Sequence, residues 1–85
     1  MESTAILERA GAPMNRPHEH IDVRSLGPPE PLVNTLERLS ELSDDVVLIQ
    51  QNDRVPEFLF PKLEDRGYQF ETIEREDDVL TVVWK

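Results

Sequence analysis

The chain of 85 residues contains no cysteine. This absence excludes a disulfide framework, a thiolate metal site and any thiol chemistry carried by the chain itself. Lysine is scarce as well, since only Lys62 and Lys85 occur, and 18 acidic residues against 9 basic ones give a net charge of −9. A surface of that sign repels phosphate backbones, so we expect no nucleic-acid partner.

Long apolar runs are also missing. No stretch approaches the roughly 18 consecutive apolar residues that indicate a transmembrane helix, so we expect no membrane partner. The first residues, MESTAILERAG, carry acids instead of a basic segment followed by an apolar one, which argues against a secretory signal. The length predicts one small domain that buries only about 60% of its unfolded surface. We expect a cytoplasmic location.

The acidic composition has two interpretations. It can serve solubility, or adaptation to the high-salt cytoplasm of a halophilic cell, where acidic and lysine-poor surfaces are common. It can instead complement the surface of a basic partner. Charge alone favours the first interpretation and leaves the second open.

Residues 1–19 are predicted to be a flexible N-terminal extension. The segment TAILERA has the composition of a short helix, but an isolated helix of that length is marginal in water. Gly11, Pro13 and Pro17 then interrupt the chain. We therefore expect the compact part of the protein to begin near His20.

Residues 20–85 are predicted to form a β-α-β-α-β-β domain. The alternation in IDVR predicts a strand, and the spacing of Leu32, Leu36 and Leu39 predicts an amphipathic helix. VVLIQ predicts a covered central strand, and EFLFPKLEDRGY a second helix, in which Pro61 lies either in a late first turn or at a kink. YQFETIER, the acidic turn EDD and VLTVVWK predict a hairpin. The expected fold class is α/β, more narrowly an α+β two-layer sandwich: a mixed four-stranded sheet with two helices on one face.

In their order and spacing, these segments are similar to a known family. The chain resembles the TusA/SirA-like superfamily of small sulfur carriers. The segments that carry the resemblance are, in order, IDVRSLGPPEP, the leucine-striped helix, VVLIQQND, a helix ending in RGY and a terminal hairpin. Within that superfamily the pattern is most similar to the uncharacterised branch called domain of unknown function 2249. The resemblance covers about residues 21–85 and implies that residues 20–85 form a TusA-like domain.

The resemblance also bears on chemistry. The sulfur carriers place a Cys-Pro-x-Pro motif where the first strand meets the first helix, and Pro28, Pro29, Glu30 and Pro31 fall on its four positions. The helix N-terminus lowers the pKa of the thiol there and suits it to carry a persulfide. Because Pro28 stands at the cysteine position, the resemblance implies a retained scaffold without the sulfur chemistry. We expect a protein that is not an enzyme and uses no cofactor.

The proline-rich junction itself has two interpretations. Proline fixes φ at about −65° and suits the first turn of a helix, so Pro28, Pro29 and Pro31 can simply stiffen the helix start. The alternative is an anion or peptide site built from the helix N-terminus and Arg24. We rank it second because prolines lack the N–H groups that bind anions.

A second loop, QNDR, is expected at the same edge of the sheet, since ligands of open α/β sheets bind beyond the carboxyl ends of the strands. Asp53 and Arg54 are therefore candidates to join Arg24 in gripping a carboxylate or a partner loop. The simpler interpretation is that Asp22 or Asp53 pairs with one of the arginines and ties the loops together. Some members of the resembled branch carry a histidine where this chain has Arg54, and that departure argues against a metal or acid–base role.

The two histidines, His18 and His20, lie on one side of an extended segment. Two histidines do not complete a tetrahedral ligand set, so we predict no metal site and solvated side chains. Of Phe58 and Phe60, one is expected to face outward, and Phe60 is the candidate contact residue.

The functional hypothesis is a non-catalytic protein-interaction or regulatory module with a protein partner. Its predicted docking surface comprises Arg24, Pro28, Pro29, Glu30, Pro31, Asp53 and Arg54. The alternative is a sensor that binds a small anion or metabolite at the loop edge around Arg24 and Arg54. An enzyme is disfavoured because the sequence shows no nucleophile–base pair and no glycine-rich phosphate loop.

Overall fold

A computed structural model describes residues 3–85, which form three helices and four strands. In chain order these are α1 (Ser3–Ala10), β1 (His18–Asp22), α2 (Glu30–Glu41), β2 (Val47–Asn52), α3 (Leu59–Asp65), β3 (Gln69–Glu74) and β4 (Val79–Trp84). From β1 onward the order is the predicted β-α-β-α-β-β.

The four strands form one mixed sheet with the order β1-β2-β4-β3. Strand β1 runs parallel to β2, with His20 opposite Ile49, and β4 is antiparallel to both β2 and β3. The two inner strands are covered on both faces, which explains why VLIQ and VLTVV read as nearly continuous apolar runs. The predicted mixed sheet, with VVLIQ at its centre and a terminal hairpin, is confirmed.

Helices α2 and α3 cover the same face of the sheet, as predicted. The leucine stripe of α2 and the buried side of α3 pack on the inner strands. Helix α3 begins at Leu59, which places Pro61 in its first turn, where a missing N–H costs no helical hydrogen bond. The buried cluster on this face consists of Leu39, Leu48, Leu59, Leu63 and Val83.

The opposite face of the sheet is covered by α1, where the sequence predicted a flexible extension. Ile6, Leu7 and Ala10 lie on one side of α1 and are buried against the sheet, and Ala12 follows them into the same cluster. The helix forms because the sheet supplies the packing surface that an isolated segment of eight residues lacks. The first two residues of the predicted extension lie outside the described part of the chain.

The sheet residues beneath α1 explain why this face needs a cover. Along β2 and β4, the side chains that face α1 alternate with those that face α2 and α3. The fully buried residues on the α1 side are Val47, Ile49, Leu80 and Val82. Left open, that face would expose a contiguous apolar surface to water. No helix within residues 3–85 is long and apolar enough to cross a membrane.

Candidate functional site

Two loops at the carboxyl ends of β1 and β2 enclose a groove of about 300 Å³. One wall comes from the loop between β1 and α2 and from the start of α2, with Leu26, Pro28, Pro29, Pro31 and Leu32. The other wall is the continuous segment 52–59, which connects β2 to α3. We call this feature the proline groove, and it brings together the two loops that the sequence placed at one edge of the sheet.

The proline-rich wall is fixed by the way α2 begins. Pro29 is the N-cap residue, Pro31 lies in the first turn, and no side chain caps the helix. The Glu30 N–H donates to the Gly27 carbonyl at 2.9 Å, and the Val33 N–H donates to the Pro29 carbonyl at 3.1 Å. Pro31 has no N–H, and the amides of Glu30 and Val33 already have acceptors, so few amides of the first turn of α2 remain for an anion to bind.

A buried chain of hydrogen bonds ties the two walls together. The Gln50 side-chain amide donates to the Thr35 hydroxyl at 2.8 Å, and that hydroxyl donates to the Pro31 carbonyl at 2.7 Å. On the other side, Asn52 Nδ2 donates to the Gln50 side-chain oxygen at 3.4 Å, and Asn52 Oδ1 accepts a hydrogen bond from the Asp53 N–H at 2.7 Å. Thr35 and Gln50 are fully buried and Asn52 nearly so, and this network holds the groove in one shape.

Sequence reasoning did not identify this network, although a signal for it was present. Gln50 and Asn52 are two residues apart in a strand, so both side chains point to the face that carries α2. Uncharged polar residues on the buried face of a central strand need hydrogen-bond partners. They predict a polar residue on the covering helix, and Thr35 is that residue.

Arg24 lies apart from the groove and is bound by its own loop. Its guanidinium makes two hydrogen bonds to the Asp22 carboxylate, at 2.9 and 2.7 Å. These bonds, together with one from the Arg24 N–H, lower the pKa of Asp22 to about 2. Arg24 is not among the residues that line the groove.

Arg54 does line the groove, but it too has a carboxylate partner. Its Nε donates to Asp53 Oδ1 at 3.0 Å, and both side chains are largely exposed. The sequence predicted that Asp22 or Asp53 pairs with one of the arginines, and both carboxylates do so. Each pair, however, stays within its own loop and does not tie the two loops together.

The exposed aromatic at the groove is Phe58, whose residue surface is 84% exposed. The sequence favoured Phe60 for this role, and the structure corrects that expectation. Phe60 is half-buried and stacks on Phe70, with ring centroids 4.9 Å apart and an interplanar angle of 13°. Phe58 precedes the first turn of α3, so its side chain is free of the helix face that packs on the sheet.

Residues 20–84 match the family described as Uncharacterized conserved protein (DUF2249). The chain belongs to this family. The match includes both walls of the proline groove and leaves α1 outside. Searches of curated proteins and of solved structures give no match.

On the α1 side of the sheet, the DUF2249 domain carries a second polar network. His20 Nε2 lies 2.8 Å from the Gln51 side-chain oxygen, and the Gln51 amide donates to Asp78 at 2.6 Å. Asp78 is buried and accepts two hydrogen bonds from the Arg75 guanidinium, both at 2.6 Å. This network clamps the β3–β4 turn to the central strand.

Within residues 3–85, no group of three or more His, Asp or Glu side chains is arranged to hold a metal ion, and His18 is exposed.

Because of the hydrogen bonds between Arg75 and Asp78, we expect the stability of the DUF2249 domain to vary with pH in the acid range. The hydrogen bonds from Arg75, helped by Gln51, lower the pKa of Asp78 from 3.8 to about 2. A carboxylate with a depressed folded-state pKa stabilises the fold above its unfolded pKa and loses that contribution as pH falls through the folded value. We expect the melting temperature to fall between pH values of about 4 and 2, and Asp78→Asn to reduce that dependence while lowering stability at neutral pH.

The measurement is thermal unfolding over this pH range for the wild type and two variants. Asp77→Asn is the matched control, because it removes the same charge from an exposed neighbour that makes no side-chain hydrogen bond within the described residues. A pH profile for Asp78→Asn that parallels the wild type would contradict this assignment.

Proposed function

We propose that the protein is a non-catalytic interaction module whose protein partner docks in the proline groove. One observation carries the proposal: Pro28, Pro29 and Pro31 share a single groove with the exposed ring of Phe58. A solvent-exposed aromatic beside rigid apolar walls is the kind of residue that anchors protein interfaces. Because the ring of Phe58 is exposed, it contributes little to the stability of the folded monomer, and its place on the groove makes it available to a partner.

The resemblance to the sulfur carriers supports the same proposal. In that comparison Pro28 occupies the position of the persulfide cysteine, and the chain has no other cysteine to take its place. We propose a TusA-like scaffold that keeps a docking surface at the strand–helix junction without carrying sulfur. Pro28 lines the groove, so the position that would bear the chemistry instead forms part of a contact wall.

The groove fits a sensor of small anions less well. Both arginines proposed for that role already have a carboxylate partner, and Arg24 does not line the groove. The prolines of α2 also remove amides that would otherwise bind an anion. These observations favour docking of a protein over binding of an anionic metabolite.

The docking proposal predicts a large loss of affinity without a loss of stability when Phe58 is replaced by alanine. We expect Phe58→Ala to weaken the complex about 30-fold or more, corresponding to about 2 kcal/mol for an aromatic anchor. Since the ring is exposed, the free energy of unfolding should stay within about 0.5 kcal/mol of the wild type. The measurement combines quantitative capture of a partner from native extract, titration calorimetry of the purified pair and thermal unfolding.

Met14→Ala is the matched control for that experiment. Met14 is also an exposed large apolar residue, at 46%, but it lies outside the groove and before β1. A partner that binds Phe58→Ala and the wild type equally would show that docking does not use the groove. A partner lost equally with both variants would show nonspecific adhesion to apolar side chains.

A further inference from the structure

We infer that the partner enters the proline groove with a short segment carrying a large apolar side chain flanked by lysine or arginine. This inference rests on the proposed docking function and specifies the chemistry of the partner. Two independent features of the groove support it. They are the mainly apolar side chains of its walls and the sign of the charge at its rim.

The walls select an apolar side chain. Leu26 and Leu32 line one side, and Val55 and Leu59 line the other. The Asn52 side chain already donates to Gln50 and accepts from Asp53, so its hydrogen bonds are directed into the protein. The groove has a volume of about 300 Å³, which lies at the low end of the range for ligand pockets. A groove of this size suits a single anchoring side chain better than a large cofactor.

The proline-rich wall also excludes one mode of peptide binding. A peptide that adds a strand needs a row of backbone donors and acceptors on the receiving edge. Pro28, Pro29 and Pro31 carry no N–H, and the Glu30 N–H is bonded to Gly27. The proline-rich wall therefore offers no row of backbone donors, and we expect the segment to be held there by its side chains.

The rim selects a basic segment. Three carboxylates, those of Glu30, Asp53 and Glu57, lie in or beside the groove walls, against the single guanidinium of Arg54. Arg54 is bonded to Asp53, whereas no ion pair within residues 3–85 involves Glu30 or Glu57. The whole chain carries a net charge of −9, which attracts a cationic partner to the protein and repels an acidic one.

The test is a selection from a library of random peptides displayed on phage, with the full chain immobilised. We expect the enriched peptides to share an aromatic or large aliphatic residue with lysine or arginine close by. Their binding should be lost in Phe58→Ala. It should weaken about twofold to fivefold in Glu57→Lys, the scale of one exposed ion pair.

Glu64→Lys provides the matched control for charge. Glu64 is exposed on α3, and it lies toward the end of that helix away from the groove. Equal weakening by Glu57→Lys and Glu64→Lys would indicate attraction to the overall charge and would overturn the assignment to the rim.

The outcomes separate this inference from the docking proposal. Enriched peptides that depend on Phe58 but carry acidic or uncharged flanks would overturn the inferred chemistry and leave groove docking standing. A library that yields no peptide dependent on Phe58 would overturn both.

Discussion

Replacing Leu7 with alanine should lower the free energy of unfolding by about 2–5 kcal/mol, as much as removing a leucine from the centre of a core. Leu7 is only 2% exposed and lies in one cluster with Val47, Ile49 and Leu80. Truncation removes apolar burial and leaves a cavity that the sheet beneath cannot fill. Small domains have total stabilities of about 5–15 kcal/mol, so this loss should be visible as a clear shift of the denaturant midpoint.

The matched control is Glu8→Ala, at the adjacent position of α1. Glu8 is exposed, so its replacement should change the free energy of unfolding by about 0.5 kcal/mol or less. If Leu7→Ala is as mild as Glu8→Ala, then α1 does not cover the sheet in solution and residues 3–12 behave as the flexible extension that the sequence predicted.

Replacing Thr35 with valine should cost about 1–3 kcal/mol although the side chain keeps its shape. The hydroxyl accepts from Gln50 and donates to the Pro31 carbonyl, and both Thr35 and Gln50 are fully buried. Valine leaves the Gln50 amide without its partner in a site closed to water. Denaturant unfolding of the purified variant measures this loss.

A double-mutant cycle shows whether the loss arises from the orphaned amide. Gln50→Leu removes the donor that Thr35→Val leaves behind, and replacing both partners by apolar groups of similar shape is far less costly than replacing one. The two substitutions share one lost hydrogen bond, so we expect a coupling energy of about 0.5–3 kcal/mol. Gln50→Leu also removes the acceptor of the Asn52 amide, and that cost enters the single and the double variant alike. Additive effects of the two substitutions would show that Thr35 and Gln50 do not interact.

Periodicity was enough to predict the strands and the two helices, and their order along the chain predicted that both helices lie on one face of the sheet. The run VVLIQ predicts a buried central strand, and the two apolar runs around EDD predict a hairpin, because covered strands carry apolar residues on both faces. The spacing of Leu32, Leu36 and Leu39 predicts α2 in the same way. These signals are local, and the packing of the domain agrees with them.

Helix α1 could not be predicted with the same methods, because its stability comes from a distant part of the chain. Its eight residues are too few to form a stable helix alone, and Ile6 and Leu7 are held by the apolar face of β2 and β4 that α2 and α3 leave uncovered. A clue was available, however. Apolar residues at successive positions of both inner strands imply two covered faces, and the two predicted helices cover only one.

The sequence predicted where the two loops of the candidate site meet, but it predicted less well which side chains line that site. The rule that loops gather beyond the carboxyl ends of strands correctly joined the proline loop to Asp53 and Arg54. It did not show that Arg24 is held away by Asp22, nor that Phe58 rather than Phe60 is exposed. The first detail depends on hydrogen bonds between side chains two residues apart along the chain, and the second depends on the residue at which α3 begins. Composition and spacing determine neither.

Whether a partner binds in the proline groove can be measured by chemical-shift mapping of the isotope-labelled protein. The probe is the captured partner or the tightest peptide from the library. We expect the amide shifts to concentrate at the non-proline residues of 26–33 and 52–59, while α1 and β3 stay unchanged. Shifts concentrated on α1, β3 or the β1 edge, with the groove unperturbed, would contradict it.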